Sequence, residues 1–291
     1  MNRSILGLIS GLIAASIWGG MYVVSKVVLD VIPPFMLLSL RLILGAAVLG
    51  GFVLFQRKSK LTKQQFRASF LVGFVGYGVS LAFQFIGTKL STASNGALVT
   101  SATPAFVLLF APFLLGERST VRRIVALIIS SLGVLAVIDP RTADLSSSLF
   151  VGNLSLLAAA LTWALYSVLV RKISLSADLL TSSTVMLMAG IPSSVLFGYF
   201  EFMNQGVGEI NAGIIAGVLF LGIISTALAM FLWNYAFAIL PAATASLTFF
   251  AQPVVGTLLG WFFLGEEISF LFIVGGALIG IGLIISNLEE S

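Results

Sequence analysis

The chain has 291 residues, of which 59% are hydrophobic and 9% are charged, with a net charge of +4. Soluble domains carry about 25% charged residues, so most of this surface is expected to face lipid. Because the chain has no cysteine and no histidine, disulfides, Cys/His metal sites and histidine-dependent catalysis are excluded. It has no G-x-x-x-x-G-K-[ST] loop, so direct ATP drive within this chain is unsupported, and no cofactor or metal is expected.

Charged and turn residues divide the sequence into ten apolar segments that can cross a bilayer core of about 30 Å as helices. The predicted helices, numbered 1–10 in chain order, span residues 4–28, 33–55, 66–88, 92–115, 121–138, 149–170, 178–200, 212–238, 241–264 and 268–287. The first segment is longer than the core of a signal peptide and is taken as a helix of the mature protein. The sequence therefore predicts an all-α membrane protein.

An even number of crossings places both termini on one side of the membrane, and lysine and arginine indicate which side. With the N-terminus inside, the inner helix ends hold eleven basic residues: Arg3, Arg57, Lys58, Lys60, Lys63, Arg67, Arg118, Arg122, Arg123, Arg171 and Lys172. The outer ends hold three: Lys26, Lys89 and Arg141. This imbalance predicts cytoplasmic N- and C-termini in the plasma (inner) membrane, and it accounts for the basic residues without a nucleic-acid partner.

One block occurs twice, as TPAFVLLFAPFLLGERS at 103–119 and as QPVVGTLLGWFFLGEEI at 252–268. In both, a proline is followed after eleven residues by Gly-Glu, and the two blocks are 149 positions apart. Trp18 and Trp163 also correspond, at a shift of 145. The chain is therefore expected to contain two five-helix repeats. Because five is odd, the second repeat is inverted in the membrane, as in many secondary transporters.

These features resemble the EamA family of the drug/metabolite transporter superfamily. The resemblance lies in the paired Pro-x11-Gly-Glu blocks, the helix spacing, and AASIWGGMYVVSK beside AALTWALYSVLVRK, and it covers essentially the whole chain. It implies EamA-like repeats over residues 1–140 and 141–291 and a central cavity lined by helices 1, 3, 4, 6, 8 and 9. Many relatives export amino acids or other small organic solutes, although importers are known, so the resemblance leaves the substrate open.

Polar and aromatic side chains inside apolar helices are expected to face other protein or a wet cavity, and helical periodicity groups them on shared faces. The predicted substrate-binding set is Trp18, Tyr22, Tyr77, Gln84, Asn95, Trp163, Tyr166, Trp233, Thr248 and Gln252. Tryptophan and tyrosine also act as interfacial anchors, and any of these residues can serve in packing. The mid-helix positions of Trp18 and Trp163 favour the cavity.

Arg41 is the only charge clearly inside a predicted helix, and no Asp or Glu lies inside one to neutralise it. Two roles stay open for it: bonds to backbone carbonyls that organise the bundle, or attraction of a substrate carboxylate. Gly276 and Gly280 are expected at a close helix contact inside a monomer, or else in a homodimer. Glu117 and Glu266 are expected to begin the helices that follow them, with gating as the alternative.

All eleven carboxylates lie in loops or at helix ends, so no proton relay through a buried carboxylate is expected. We predict a secondary transporter, not an enzyme, that exports small organic solutes such as amino acids or related metabolites by alternating access between the repeats. Its partners are then the solute and the lipid bilayer. Aromatic faces also bind cations, so an importer or facilitator of a small quaternary amine is the alternative, and a structural membrane protein is the non-transport alternative.

Overall fold

The computed structural model describes residues 3–56, 60–91, 96, 99–117, 120–138, 147–264 and 270–287. Secondary structure in these residues is helical, with no strand. The helices are α1 (Arg3–Leu29), α2 (Pro34–Phe55), α3 (Lys63–Leu90), α4 (Thr103–Leu115), α5 (Val121–Ile138), α6 (Ser147–Ser174), α7 (Leu179–Gln205), α8 (Ala212–Ile239), α9 (Ala242–Leu247, Thr248–Phe250 and Ala251–Leu264) and α10 (Phe270–Asn287).

Six of these helices, α1, α2, α3, α6, α7 and α8, are long and apolar enough to cross a membrane. Their outward surfaces carry large hydrophobic side chains, among them Val27, Leu54 and Phe55, which are 58%, 80% and 88% exposed. Such surfaces are stable against lipid chains, and the helices satisfy their own backbone hydrogen bonds there. The prediction of an all-helical, multi-pass membrane protein is confirmed.

Contacts between helix ends fix the directions in which the helices run. We call the face where α1 begins the proximal face and the face where α1 ends the distal face. Near the end of α1, Lys26 Nζ donates to the carbonyl oxygens of Thr88 (3.3 Å) and Ser91 (2.9 Å), at the end of α3. At the proximal face, Gln65 near the start of α3 donates to the carbonyl oxygen of Ser176, just after α6. Thus α1 and α3 run from proximal to distal, and α6 ends proximally.

Helices α3 and α8 depart from α-helical geometry at corresponding places. Residues Phe74–Ser80 of α3 and Phe220–Leu228 of α8 form π-helical segments, and the two segments overlap when the chain is shifted by 149 positions. Inserted π-helical turns occur frequently at functional sites because they redirect side chains. Both segments lie in the middle of their helices, at the level of the cavity described below.

The predicted helix over 92–115 is interrupted within its described part, because a turn precedes Thr103, where α4 begins. Pro104 has no backbone N–H and cannot continue the helical hydrogen-bond pattern. The chain tightens instead, with a bond from the nitrogen of Ala102 to the carbonyl oxygen of Val99 (3.1 Å). This turn brings Thr103 to the cavity.

Helices α5 and α10 pack together, but through other glycines than predicted. A Cβ added to Gly276 or Gly280 would meet no described atom within 4 Å. A Cβ on Gly133 would lie 2.7 Å from the carbonyl oxygen of Gly275, and Gly282 is packed closely against α5. The expected internal packing of Gly276 and Gly280 is therefore wrong within the described residues, since α10 turns another face to α5. A monomer or homodimer stays a prediction.

Candidate functional site

A small cavity lies at the centre of the bundle, between α1, α3, α4, α6, α8 and α9. These are the six helices that the family resemblance implies. The cavity volume is about 20 Å3, which is room for about one water molecule. A larger solute would fit only after the surrounding helices move apart.

Three tryptophans from three helices form a layer beside this cavity. The ring centroid of Trp18 lies 5.5 Å from that of Trp163 and 5.3 Å from that of Trp233. Phe249, from the 3₁₀ turn of α9, lies 6.0 Å from Trp18 and 5.4 Å from Trp233. We call these four rings the aromatic layer. Tilted and edge-to-face geometries stabilise aromatic pairs. The aromatic layer therefore holds α1, α6, α8 and α9 together.

A polar network lies on the distal side of the aromatic layer. The hydroxyl of Tyr22 is 3.0 Å from Oγ1 of Thr100 and accepts a hydrogen bond of 2.9 Å from Nε2 of Gln84. Nε2 of Gln252 donates to the same Thr100 oxygen at 3.3 Å. This distal network therefore joins α1, α3, the segment before α4, and α9.

A second network lies on the proximal side. The hydroxyls of Tyr77 and Tyr166 are 2.5 Å apart, and Tyr166 donates to Oδ1 of Asn234 at 2.7 Å. Nδ2 of Asn234 donates to Oγ of Ser183 at 3.0 Å. This proximal network joins α3, α6, α7 and α8, and the sequence analysis missed two of its members, Asn234 and Ser183. Asn234 follows Trp233 directly, and an amide inside an apolar helix was the signal that could have indicated it.

The predicted site residues fall into four groups. Trp18, Gln84, Trp163 and Gln252 line the cavity. Tyr22, Tyr77, Tyr166 and Trp233 belong to the adjoining layer and networks. Thr248 is buried away from the cavity, where its hydroxyl donates to the carbonyl oxygen of Ala245 at 2.6 Å. Asn95 lies outside the described residues.

Three polar atoms at the cavity wall have no hydrogen-bond partner among the described residues: Oε1 of Gln84, Oγ1 of Thr103 and Nε1 of Trp163. An unsatisfied buried polar atom costs about 1–3 kcal/mol, and native structures contain few of them. The three comprise an acceptor, a hydroxyl and a donor. Together they could bind a small molecule that carries both donors and acceptors.

A family model described as the EamA-like transporter family matches residues 5–138 and, a second time, residues 150–288. The chain belongs to the EamA-like transporter family. It is 26% identical to the uncharacterized transporter YoaV of Bacillus subtilis over 100% of this chain and 99% of that protein. It is 23% identical to a WAT1-related chloroplastic protein of Arabidopsis thaliana, over 94% of this chain and 67% of that protein.

A solved crystal structure shares the fold, with a TM-score of 0.80, 22% sequence identity and 99% of each chain covered. The family and these relatives make the chain a membrane transporter of the drug/metabolite type, not an enzyme. A small-molecule solute and the lipid bilayer are its partners. The prediction of EamA-family membership is confirmed.

In this EamA-family transporter, the glutamate of the first Gly-Glu pair, Glu117, binds other helices instead of beginning α5. α5 begins at Val121, and Glu117 forms an ion pair with Arg171 at the end of α6. The second carboxylate oxygen of Glu117 accepts from the backbone nitrogen of Ala242 (2.8 Å), where the positive end of α9 stabilises it. Arg171 also donates to the carbonyl oxygen of Leu240 (2.5 Å). The expectation that Glu117 begins α5 is wrong. We call this cluster the proximal latch.

The distal face carries a matching arrangement. Lys26 bonds the carbonyl oxygens of Thr88 and Ser91, and residues 149 positions further on, 237 and 240, supply the two carbonyls that Arg171 bonds. Arg171 itself follows Lys26 by 145 positions, which is also the shift between Trp18 and Trp163. We call a basic side chain that bonds two backbone carbonyls in this way a cationic tie. One cationic tie therefore occurs on each of the two opposite faces of the bundle. Glu266, the sequence counterpart of Glu117, lies outside the described residues.

Proposed function

We propose that this protein is a secondary transporter that exports small organic solutes, amino acids or related metabolites among them, across the plasma (inner) membrane. The observation that carries the proposal is the set of three unpartnered polar atoms at the wall of the central cavity. A purely structural protein gains nothing from such atoms. A protein that exchanges a solute requires groups that the fold itself leaves free.

We further propose that residues 1–140 and 141–291 form two inverted five-helix repeats with ten crossings. Three observations support this: the family model matches twice, the π-helical segments of α3 and α8 correspond, and the ties at Lys26 and Arg171 correspond on opposite faces. We also propose that the proximal face, with both termini, lies in the cytoplasm, because basic residues are in excess at the helix ends on that side.

We propose that the two faces open alternately, and the contacts on either side of the cavity support this mechanism. The distal network and the tie at Lys26 lie on one side of the cavity, and the proximal network and the proximal latch lie on the other. Since contacts on both sides flank a very small cavity, we propose that this conformation is close to an occluded state. Opening either side would expose the same wall to one face of the membrane, which is how inverted-repeat transporters work.

Coupling to protons through a buried carboxylate has no support in this site. No Asp or Glu occurs among the described residues that line the cavity. Proton-coupled carriers place such groups in the pathway. We therefore propose transport down the gradient of the solute.

The aromatic layer also favours a second candidate function, import or facilitated passage of a small quaternary amine, because tryptophan faces attract cations.

Replacing Trp163 with Phe is expected to raise the half-saturating solute concentration about five- to tenfold in liposomes, because a net hydrogen bond contributes about 1 kcal/mol. The measurement uses the solute that the wild-type protein carries best in a screen of amino acids, nucleobases and quaternary amines. Trp163→Phe loses buried ring atoms but no described hydrogen bond, since Nε1 of Trp163 has no partner among the described residues.

The matched control is Trp233→Phe, because Nε1 of Trp233 donates to Oγ of Ser167 at 2.9 Å. Both substitutions lose the same ring atoms, so losing this bond is expected to make Trp233→Phe about 1 kcal/mol less stable than Trp163→Phe, with a smaller effect on half-saturation. Equal half-saturation in wild type and Trp163→Phe would contradict the role of the unpartnered atoms. Absence of saturable flux for every class of solute in the wild-type protein would contradict the transport function itself.

A further inference from the structure

Arg41 of α2 is fully buried, and side chains of two other helices receive its hydrogen bonds. Nε donates to Oγ1 of Thr226 at 2.8 Å, and Nη2 donates to Oγ of Ser225 at 3.4 Å. Nη1 donates to Sδ of Met21 at 3.7 Å. These acceptors are hydroxyls and a thioether, whereas the sequence analysis expected backbone carbonyls for a structural role.

No described carboxylate forms an ion pair with Arg41, so no described anion balances the charge of its guanidinium. The ring of Phe85 lies 5.0 Å from its central carbon and attracts the cation weakly. A buried charge is costly unless it is paired. An ionisable group inside a membrane protein is therefore by default part of a site, with an anion as its natural partner.

Arg41 is separated from the central cavity by one side chain. Met21 lines the cavity and accepts the bond from Nη1. Trp18, another lining residue, donates to the carbonyl oxygen of Ser225, whose hydroxyl accepts from Nη2. Methionine is unbranched and flexible, and its sulfur is a weak acceptor. A rotation of Met21 would turn an N–H of the guanidinium toward the cavity without breaking a strong bond.

The position that corresponds to Arg41 in the second proposed five-helix repeat carries no charge. At the shift of 145 positions that relates Trp18 to Trp163, Arg41 corresponds to Met186. Met186 is also buried, and its sulfur lies 3.9 Å from the donating hydroxyl of Tyr166. A packing role common to both sites would be served by methionine in each. The cation on one side alone gives the cavity a positive end and a neutral end.

We propose that Arg41 determines the charge of the transported solute, so that the central site takes compounds carrying a carboxylate and rejects permanent cations. The carboxylate oxygens displace the sulfur of Met21 and accept from the guanidinium, forming the strong charge-assisted pair that arginine makes with carboxylates. Donors on the solute reach Oε1 of Gln84, and the aromatic layer covers its apolar part. This inference rests on the proposed transport function and decides between its two candidate solute classes.

Four probes with a common phenyl ring test the proposal on the purified full-length protein in nanodiscs: L-phenylalanine, 3-phenylpropionate, L-phenylalaninamide and phenethyltrimethylammonium. The wild-type protein is expected to bind the first two at least about tenfold more tightly than the last two. Arg41→Met, which introduces the residue found at position 186, is expected to abolish this preference by weakening the two carboxylates alone. Arg41→Lys, which keeps the charge, is expected to retain it in part.

A purely structural role predicts equal weakening of all four probes, and this result would overturn the proposal. Equal or tighter binding of either cation by the wild-type protein, or binding of none of the four, would overturn it even if Arg41→Met did not fold. Saturable liposome flux of the two cations alone would leave the transport function standing and reject the role of Arg41. Binding of the carboxylates without flux in liposomes would reject transport and leave the selectivity of Arg41 standing.

Discussion

Alanine in place of Gly73 is expected to destabilise the protein by about 1–3 kcal/mol or more, the usual cost of forcing extra atoms into a packed interior. A Cβ at this position of α3 would lie 2.7 Å from the carbonyl carbon of Met186 on α7, and closer still to other backbone atoms of that residue. Backbone atoms cannot rotate away, so α3 and α7 would have to separate. The measurement is the temperature at which half of the detergent-solubilised protein loses its monodisperse elution peak.

The matched control is Gly51→Ala on α2, where an added Cβ would meet no described atom within 4 Å. Alanine in an unobstructed helix is favoured over glycine by about 0.5–1 kcal/mol. We therefore expect Gly51→Ala to be slightly more stable than the wild type. Unchanged stability of Gly73→Ala, or equal losses in both variants, would contradict the close contact between α3 and α7.

Removing the charge of Glu117 is expected to favour opening of the proximal face at least about tenfold. The side chains of Arg171 and Glu117 in the ion pair are only 18% and 19% exposed, and the Glu117 carboxylate also accepts from the backbone nitrogen at the start of α9. Hydrogen bonds to charged groups contribute about 1.5–3 kcal/mol, and 1.4 kcal/mol corresponds to a tenfold shift of an equilibrium. Hydrogen exchange of the amides at residues 242–247 should therefore accelerate about tenfold or more in Glu117→Gln.

Lys26→Gln is the matched control on the opposite face. Lys26 bonds carbonyls at the end of α3, so its replacement should accelerate exchange there and leave the start of α9 unchanged. Both variants should slow solute flux, because each biases the protein toward one open side. Acceleration at both faces in either variant would indicate general loosening and would contradict two separate closures.

The helix positions could be predicted because lipid imposes about twenty apolar residues on each crossing. Predicted helix 1, at 4–28, agrees closely with α1 at Arg3–Leu29. Hydropathy alone does not locate the turn before Thr103, because apolar residues continue through it and hydropathy does not register a change from α-helical to tighter hydrogen bonding. Pro104 was the local signal, since its ring removes a donor.

Site residues could be predicted where their pattern lies within one helix. They could not be predicted where the hydrogen-bond partner lies far away in the sequence. Trp18 and Trp163 stand at corresponding mid-helix positions, and both line the cavity. Glu117 was interpreted from its local context as the start of the next helix, but it binds the start of α9, 125 positions later. The acceptors of Arg41 on α8 are likewise 184 and 185 positions away. Such pairings depend on tertiary packing.

The most direct test of the account asks whether the central cavity opens to one face at a time. The chain contains no cysteine, so Thr103→Cys introduces a single thiol at the cavity wall, where Oγ1 of Thr103 has no partner among the described residues. A membrane-impermeant maleimide is applied to either side of oriented vesicles. We predict labelling from both sides, with Glu117→Gln raising the proximal rate and lowering the distal rate. Labelling from neither side, or rates that rise together as in an open pore, would contradict alternating access.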